Sequence, residues 1–203
     1  MVRQQPGFVR RFIAAWLAGY CSPARAAEVI AGLSAPFAGL LAVAIRGAAN
    51  SLLWYLPQHL AGRAPQPAPY ITLVPADRYY LFLTWFTPVN QLLIWLLGAA
   101  LFWFVFRLAR HNVDFGSILN ISGVASLTSG AAIVCFDFVV RASGWDMPRN
   151  LWGGLHLVLD GWYYAVVVVG FRRNLGVPVW LGITGLLVVF AVGVPIAMLF
   201  MRA

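Results

Sequence analysis

Residues 116–171 read GSILNISGVASLTSGAAIVCFDFVVRASGWDMPRNLWGGLHLVLDGWYYAVVVVGF, and their reading decides the fold. Two apolar runs, residues 117–141 and 151–171, are joined by the short link ASGWDMPRN. A helix crosses a hydrocarbon core with ~20 apolar residues, and each run supplies them. Both nevertheless carry ionisable groups: Asp137 and Arg141 on the first, His156 and Asp160 on the second. A charge in hydrocarbon costs about 3 kcal/mol or more unless a partner or water reaches it, so each marks a functional-site hypothesis.

The rest of the chain has the same character. Of 203 residues, 62% are hydrophobic and 10% charged, with a mean hydropathy of +0.81. Soluble domains carry about 25% charged residues, so the chain belongs in a membrane. Its length allows about five or six crossings and leaves no room for a separate soluble domain.

All 14 basic residues are Arg, against six acids: Glu28, Asp77, Asp114, Asp137, Asp146 and Asp160. Most Arg flank apolar runs, where they anchor and orient. No basic stretch is long enough to track a phosphate backbone, which excludes nucleic acid as a partner. Cys21 and Cys135 lie far apart, the second inside a span, so no disulfide is expected.

Residues 1–34 read as a cytoplasmic, interfacial segment and 35–203 as a transmembrane domain. In GFVRRFIAAWLAGY (7–20), Val9, Phe12, Ile13, Trp16 and Tyr20 share one side of a helix while Arg10 and Arg11 lie toward the other. This predicts an amphipathic helix lying on the bilayer, with Arg10 and Arg11 on headgroups and Trp16 at the boundary. A signal peptide is the rival reading, but Pro23 and Arg25 crowd its cleavage-like triplet Ala24-Arg25-Ala26. Ser22-Pro23 opens a second helix that carries Glu28 near its positive end.

The first span is placed at 36–56, with Arg46 near its centre. The alternative, 29–45, would put Arg46 at the outer end and Trp54 and Tyr55 in an aromatic belt. Five prolines in 57–79 predict an extended loop rather than helix. A span over 80–106 should kink at Pro88, with Asn90 and Gln91 just after it to satisfy freed carbonyls. The basic link 107–116 leads into 117–141, where Ser122, Ser126 and Gly130 recur at four-residue steps suited to close helix packing. The last two spans are 151–171 and 178–200, the latter with Gly193 and Pro195. The expected fold is therefore an all-α integral membrane protein, five transmembrane helices preceded by short amphipathic interfacial ones.

Arginines set the orientation. Arg3, Arg10, Arg11, Arg25, Arg107, Arg110, Arg172 and Arg173 fall on the N-terminal side. Arg63, Arg78, Arg141, Arg149 and Arg202 fall on the other, which predicts a cytoplasmic N-terminus and a non-cytoplasmic C-terminus.

At 1.5 Å per residue, Arg46 and Asp160 share a mid-span depth and are expected to pair. His156 is one turn from Asp160, Asp137 is level with His156, and Arg141 is one turn from Asp137. With Asn90 and Gln91 these residues form a polar cluster. Three readings compete: local pairs (Asp137–Arg141 and Asp160–Arg46) that fix register, a substrate or proton path, or a metal site of His156, Asp160 and Asp137. Bis-imidazole haem is excluded, because His59 and His111 lie in links. Leu127-Thr128-Ser129-Gly130 lacks the first Gly of a rhomboid GxSG, neither Asp137 nor Asp160 sits in a YD or GxGD motif, and no phosphate loop exists without Lys. No cofactor and no enzymatic activity are expected.

Three segments carry a resemblance: SPARAAEVI (22–30), WLLGAALFWFVFRLARHNVDFGSILNISGVASL (95–127) and LDGWYYAVVVVGFRRNLGVPVWLGITGLL (159–187). In order and spacing the chain resembles the Yip family of Ypt/Rab-interacting five-span membrane proteins, most of all its short bacterial branch. The resemblance implies five helices, a cytosolic N-terminus and residence in a bacterial inner membrane. Eukaryotic members bind prenylated GTPases, but this chain lacks their long polar N-terminal region, so no GTPase partner is expected. The implied function is non-enzymatic: association with membrane partners or with itself, or organisation of the lipid bilayer. The competing classes are a small transporter or channel using Arg46, Asp137, His156 and Asp160, and an accessory subunit of a larger membrane complex.

Overall fold

A computed structural model describes residues 7–65, 74–145 and 147–200. Arg3, Asp146, Arg202 and residues 66–73 of the proline-rich link lie outside them. Every regular element among the described residues is helical. Helices α1 (Phe8–Cys21) and α2 (Pro23–Ala31) come first. Helix α3 (Phe37–Asn50) passes through a π-helical turn (Ser51–Tyr55) into α4 (Leu56–Leu60). Four helices follow: α5 (Tyr79–Leu108), α6 (Phe115–Ala142), α7 (Arg149–Leu175) and α8 (Val179–Phe200).

Among the described residues, four continuous helical stretches are long and apolar enough to cross a membrane: Phe37–Leu60, Ala76–Leu108, Phe115–Ala142 and Asn150–Leu175. In α8 the apolar stretch described in full is Val179–Gly193. A break at Gly32–Pro36 separates α2 from α3, so 29–45 is not one helix. The loop expected to begin at residue 57 starts later, because Pro57 continues the helix into α4. The π turn before it gives the pyrrolidine ring room that a regular α turn denies.

Helix α6 is the central element, with Ile118–Gly130 buried throughout. Glycines set its approach to α3. A Cβ on Gly123 would strike the backbone of Gly39, and one on Gly39 would strike Leu119 O and Asn120 Cα. Where the backbones meet, Asn120 Oδ1 accepts from Gly39 N at 2.8 Å, satisfying an amide in the first turn of α3 that has no helical acceptor. Phe102, Phe106 and Phe171 form a ring cluster joining α5 to α7, with centroids 4.9 Å and 5.3 Å from Phe171.

Asp114 caps α6. Its carboxylate accepts from Ser117 N at 2.7 Å and from Ser117 Oγ at 2.8 Å. Those bonds favour the ionised form and hold its pKa below the usual carboxylate value.

The first helix departs from the interfacial expectation. Its end sits beside the middle of α6 and α7: Gly19 packs on Thr128, and Gly19 O accepts from Trp162 Nε1 at 2.7 Å. Trp16 is half-buried and donates to Tyr20 Oη at 3.1 Å. Arg10 is exposed as expected, but Arg11 Nη1 donates to Gly32 O at 3.0 Å, tying α1 to the end of α2. Helix α2 is held to α7 by Arg173–Glu28 at 2.6 Å and by Asn174 Nδ2 donating to Ala27 O at 3.0 Å. The physical reason is the face of small residues Ala15, Ala18 and Gly19, which lets α1 wedge against the bundle.

Candidate functional site

The predicted polar cluster divides into two groups. At one end of α6 and α7, Asp137 Oδ1 accepts from Trp152 Nε1 at 3.0 Å and lies 2.9 Å from His156 Nε2. Trp152 and His156 are one helical turn apart, with ring centroids 4.0 Å from each other. Arg141 does not pair with Asp137. Its guanidinium stacks over Trp54 of the π turn, 4.2 Å from the ring centroid. The expected Asp137–Arg141 pair is therefore replaced by Asp137–His156 and Arg141–Trp54, because α7 and the π turn each present an aromatic partner that one helix alone does not reveal. Among the described residues no three His, Cys, Asp or Glu side chains converge, so His156, Asp160 and Asp137 do not form one ligand set.

The second group lies mid-bundle. A cavity of about 320 Å³ is bounded by α3, α5, α6, α7 and α8. Arg46, Gln91 and Asp160 line it, together with Ser122, Ser126 and Ser129 of α6 and Tyr163 and Tyr164 of α7. Val43, Phe102 and Leu186 are among its apolar walls. Asn90 is buried (5% exposed) beside Gln91 but does not line it.

Arg46 and Asp160 face this cavity without pairing. Among the described residues the ion pairs within 4.0 Å are His156–Asp137 and Arg173–Glu28. Gly130 explains the position of Arg46, since a Cβ there would collide with Arg46 Nε, Cδ and Cγ. The guanidinium stem therefore lies directly on α6.

The hydroxyls of α6 differ in a telling way. Ser122 Oγ donates to Ile118 O at 2.8 Å and accepts from Trp95 Nε1 at 3.1 Å. Ser126 Oγ donates to Gly123 O at 2.8 Å, and Thr128 Oγ1 to Val124 O at 3.3 Å. Ser129 Oγ is buried with no partner in the protein, and so is Gln91 Oε1. A buried polar atom left unmatched costs about 1–3 kcal/mol. Two of them, plus two unpaired charges, converge on one cavity. Ser122 and Ser126 thus line the cavity, while the glycines of α6 make its close helix contacts.

Sequence reasoning missed Ser129, Tyr163, Tyr164 and Trp152. Ser129 stands three residues, about one further turn, beyond Ser126. Tyr163 and Tyr164 stand three and four residues from Asp160, which places them on its face.

No family model, curated protein or solved structure matches the chain. The site and the helix architecture alone define its class: a helical protein with stretches long and apolar enough to span a membrane and a polar cavity between its helices.

Proposed function

We propose that this is a five-span integral membrane protein whose bundle binds a small polar solute mid-membrane, as the binding element of a transporter or channel. In this reading α8 is the fifth span. The arginine distribution supports a cytoplasmic N-terminus and a non-cytoplasmic C-terminus, and the resemblance to short bacterial Yip proteins supports the inner membrane. The observation that carries the reading is the convergence of Arg46, Asp160, Gln91 and Ser129, all without protein partners to close them, on one cavity. Ionisable groups inside a bundle that do not neutralise one another mark solute pathways, and a site at the midplane is where such pathways bind.

Liposome swelling tests it. Proteoliposomes in isosmotic glycerol, urea or glycine should swell faster than protein-free vesicles for at least one solute. Ser129→Trp, which fills the cavity, should remove the difference. Rates equal to protein-free vesicles for every solute count against the reading. The association function implied by the family resemblance, and the accessory-subunit role, draw on no comparable feature of the site.

A further inference from the structure

We propose that the solute is a small zwitterion, carrying one ammonium and one carboxylate, an inference that rests on the cavity being a solute site. The cavity is lined by groups of both charges. Arg46 lies along α6 over Gly130, and Ser129, whose hydroxyl is unpartnered, lines the same cavity. A guanidinium and a free O–H are both donors, and together they suit a carboxylate, which Arg grips in bidentate fashion.

On the same lining, Asp160 shares its helix face with Tyr163 and Tyr164, and the Tyr164 ring lies 4.8 Å from that of Phe190. A carboxylate beside aromatic rings suits an organic ammonium. Gln91 Oε1, also unpartnered, supplies one more acceptor for an N–H.

Charge balance favours one molecule with both groups over two ions. A lone cation would meet Asp160 but leave Arg46 uncompensated in the same cavity, and a lone anion would do the reverse. A zwitterion matches both and brings no net charge into the hydrocarbon region. Size agrees with that class. At ~30 Å³ for each water's share of liquid volume, about 320 Å³ has room for a single amino acid or a betaine. The apolar walls at Val43, Phe102 and Leu186 would take its side chain.

The test is binding to the purified full-length protein in nanodiscs, followed by thermal shift and by titration. The probes are L-leucine and glycine betaine, with leucinamide as a cation-only and isocaproate as an anion-only counterpart of leucine. At least one zwitterion should bind about tenfold or more tighter than either single-charge probe, about 1.4 kcal/mol. Arg46→Gln should reduce leucine affinity to that of leucinamide without weakening leucinamide. Asp160→Asn should reduce it to that of isocaproate. The two variants act in opposite directions, so either one that folds decides the point. If a single-charge probe binds as tightly as both zwitterions, the zwitterion inference fails and the solute cavity stands. If no probe binds and Ser129→Cys is also inert to polar thiol reagents, both fail.

Discussion

Arg46 on α3 and Asp160 on α7 look into one cavity and do not close on each other. A closed buried pair resists removal of either partner, at about 3–5 kcal/mol. An open pair has less mutual energy to lose. Asp160→Asn should therefore cost less than breaking a closed pair, and the cycle of Asp160→Asn with Arg46→Gln should give a coupling below about 3 kcal/mol. A coupling of several kcal/mol would mean that the two groups meet as a structural bridge.

Asp137, by contrast, does close on its partners. It takes hydrogen bonds from Trp152 and His156 at 3.0 Å and 2.9 Å. A double-mutant cycle of Asp137→Ala with His156→Ala should show coupling of about 0.5–3 kcal/mol, whereas Asp137 with Arg141 should show almost none. Chemical denaturation in detergent reads both cycles.

Helix α3 touches α6 backbone to backbone at Gly39 and Gly123. Gly123→Ala should destabilise by about 1–3 kcal/mol, as overpacking does, with a clear fall in melting temperature. Gly153→Ala on α7 is the control, since its Cβ would enter open space. It should be neutral or stabilising by up to about 1 kcal/mol through helix propensity.

Asp114 offers a pH test outside the spans. Its folded pKa is depressed by the bonds from Ser117, so its contribution is present above the unfolded value of about 3.9 and is lost as pH falls through the folded value. Asp114→Ala should cost about 1 kcal/mol at neutral pH. The melting-temperature gap to wild type should shrink steadily below about pH 4. A gap independent of pH down to acid unfolding would show that the cap bonds do not require the carboxylate.

Much of the fold is legible in hydropathy because lipid demands long uninterrupted helices. The apolar runs at 80–106 and 117–141 became α5 (Tyr79–Leu108) and α6 (Phe115–Ala142), with ends shifted by a residue or two. What periodicity within one helix does not reveal is which helices are neighbours. Depth counting set Arg46 level with Asp160, and both line the cavity, but a shared level does not fix whether side chains touch. In α1 the pattern of Phe12, Trp16 and Tyr20 beside Arg10 and Arg11 resembles a helix on a bilayer surface. The same helix carries Ala15, Ala18 and Gly19, and that small face packs on α6. Ser129 was hidden for a related reason: Gly130 completes the four-residue spacing and drew attention to packing, while the neighbouring Ser129 lines the cavity.

Reactivity of Ser129→Cys toward a membrane-impermeant, positively charged methanethiosulfonate tests the central claim most directly. It is measured on the reconstituted chain with both native thiols, Cys21 and Cys135, replaced by Ala. Ala125→Cys, on the same helix and fully buried in the apolar core, serves as the reference. The account predicts that the thiol at 129 is modified and that the one at 125 is inert, because water reaches the interior of the bundle only at the cavity. Equal inertness at both positions would contradict it.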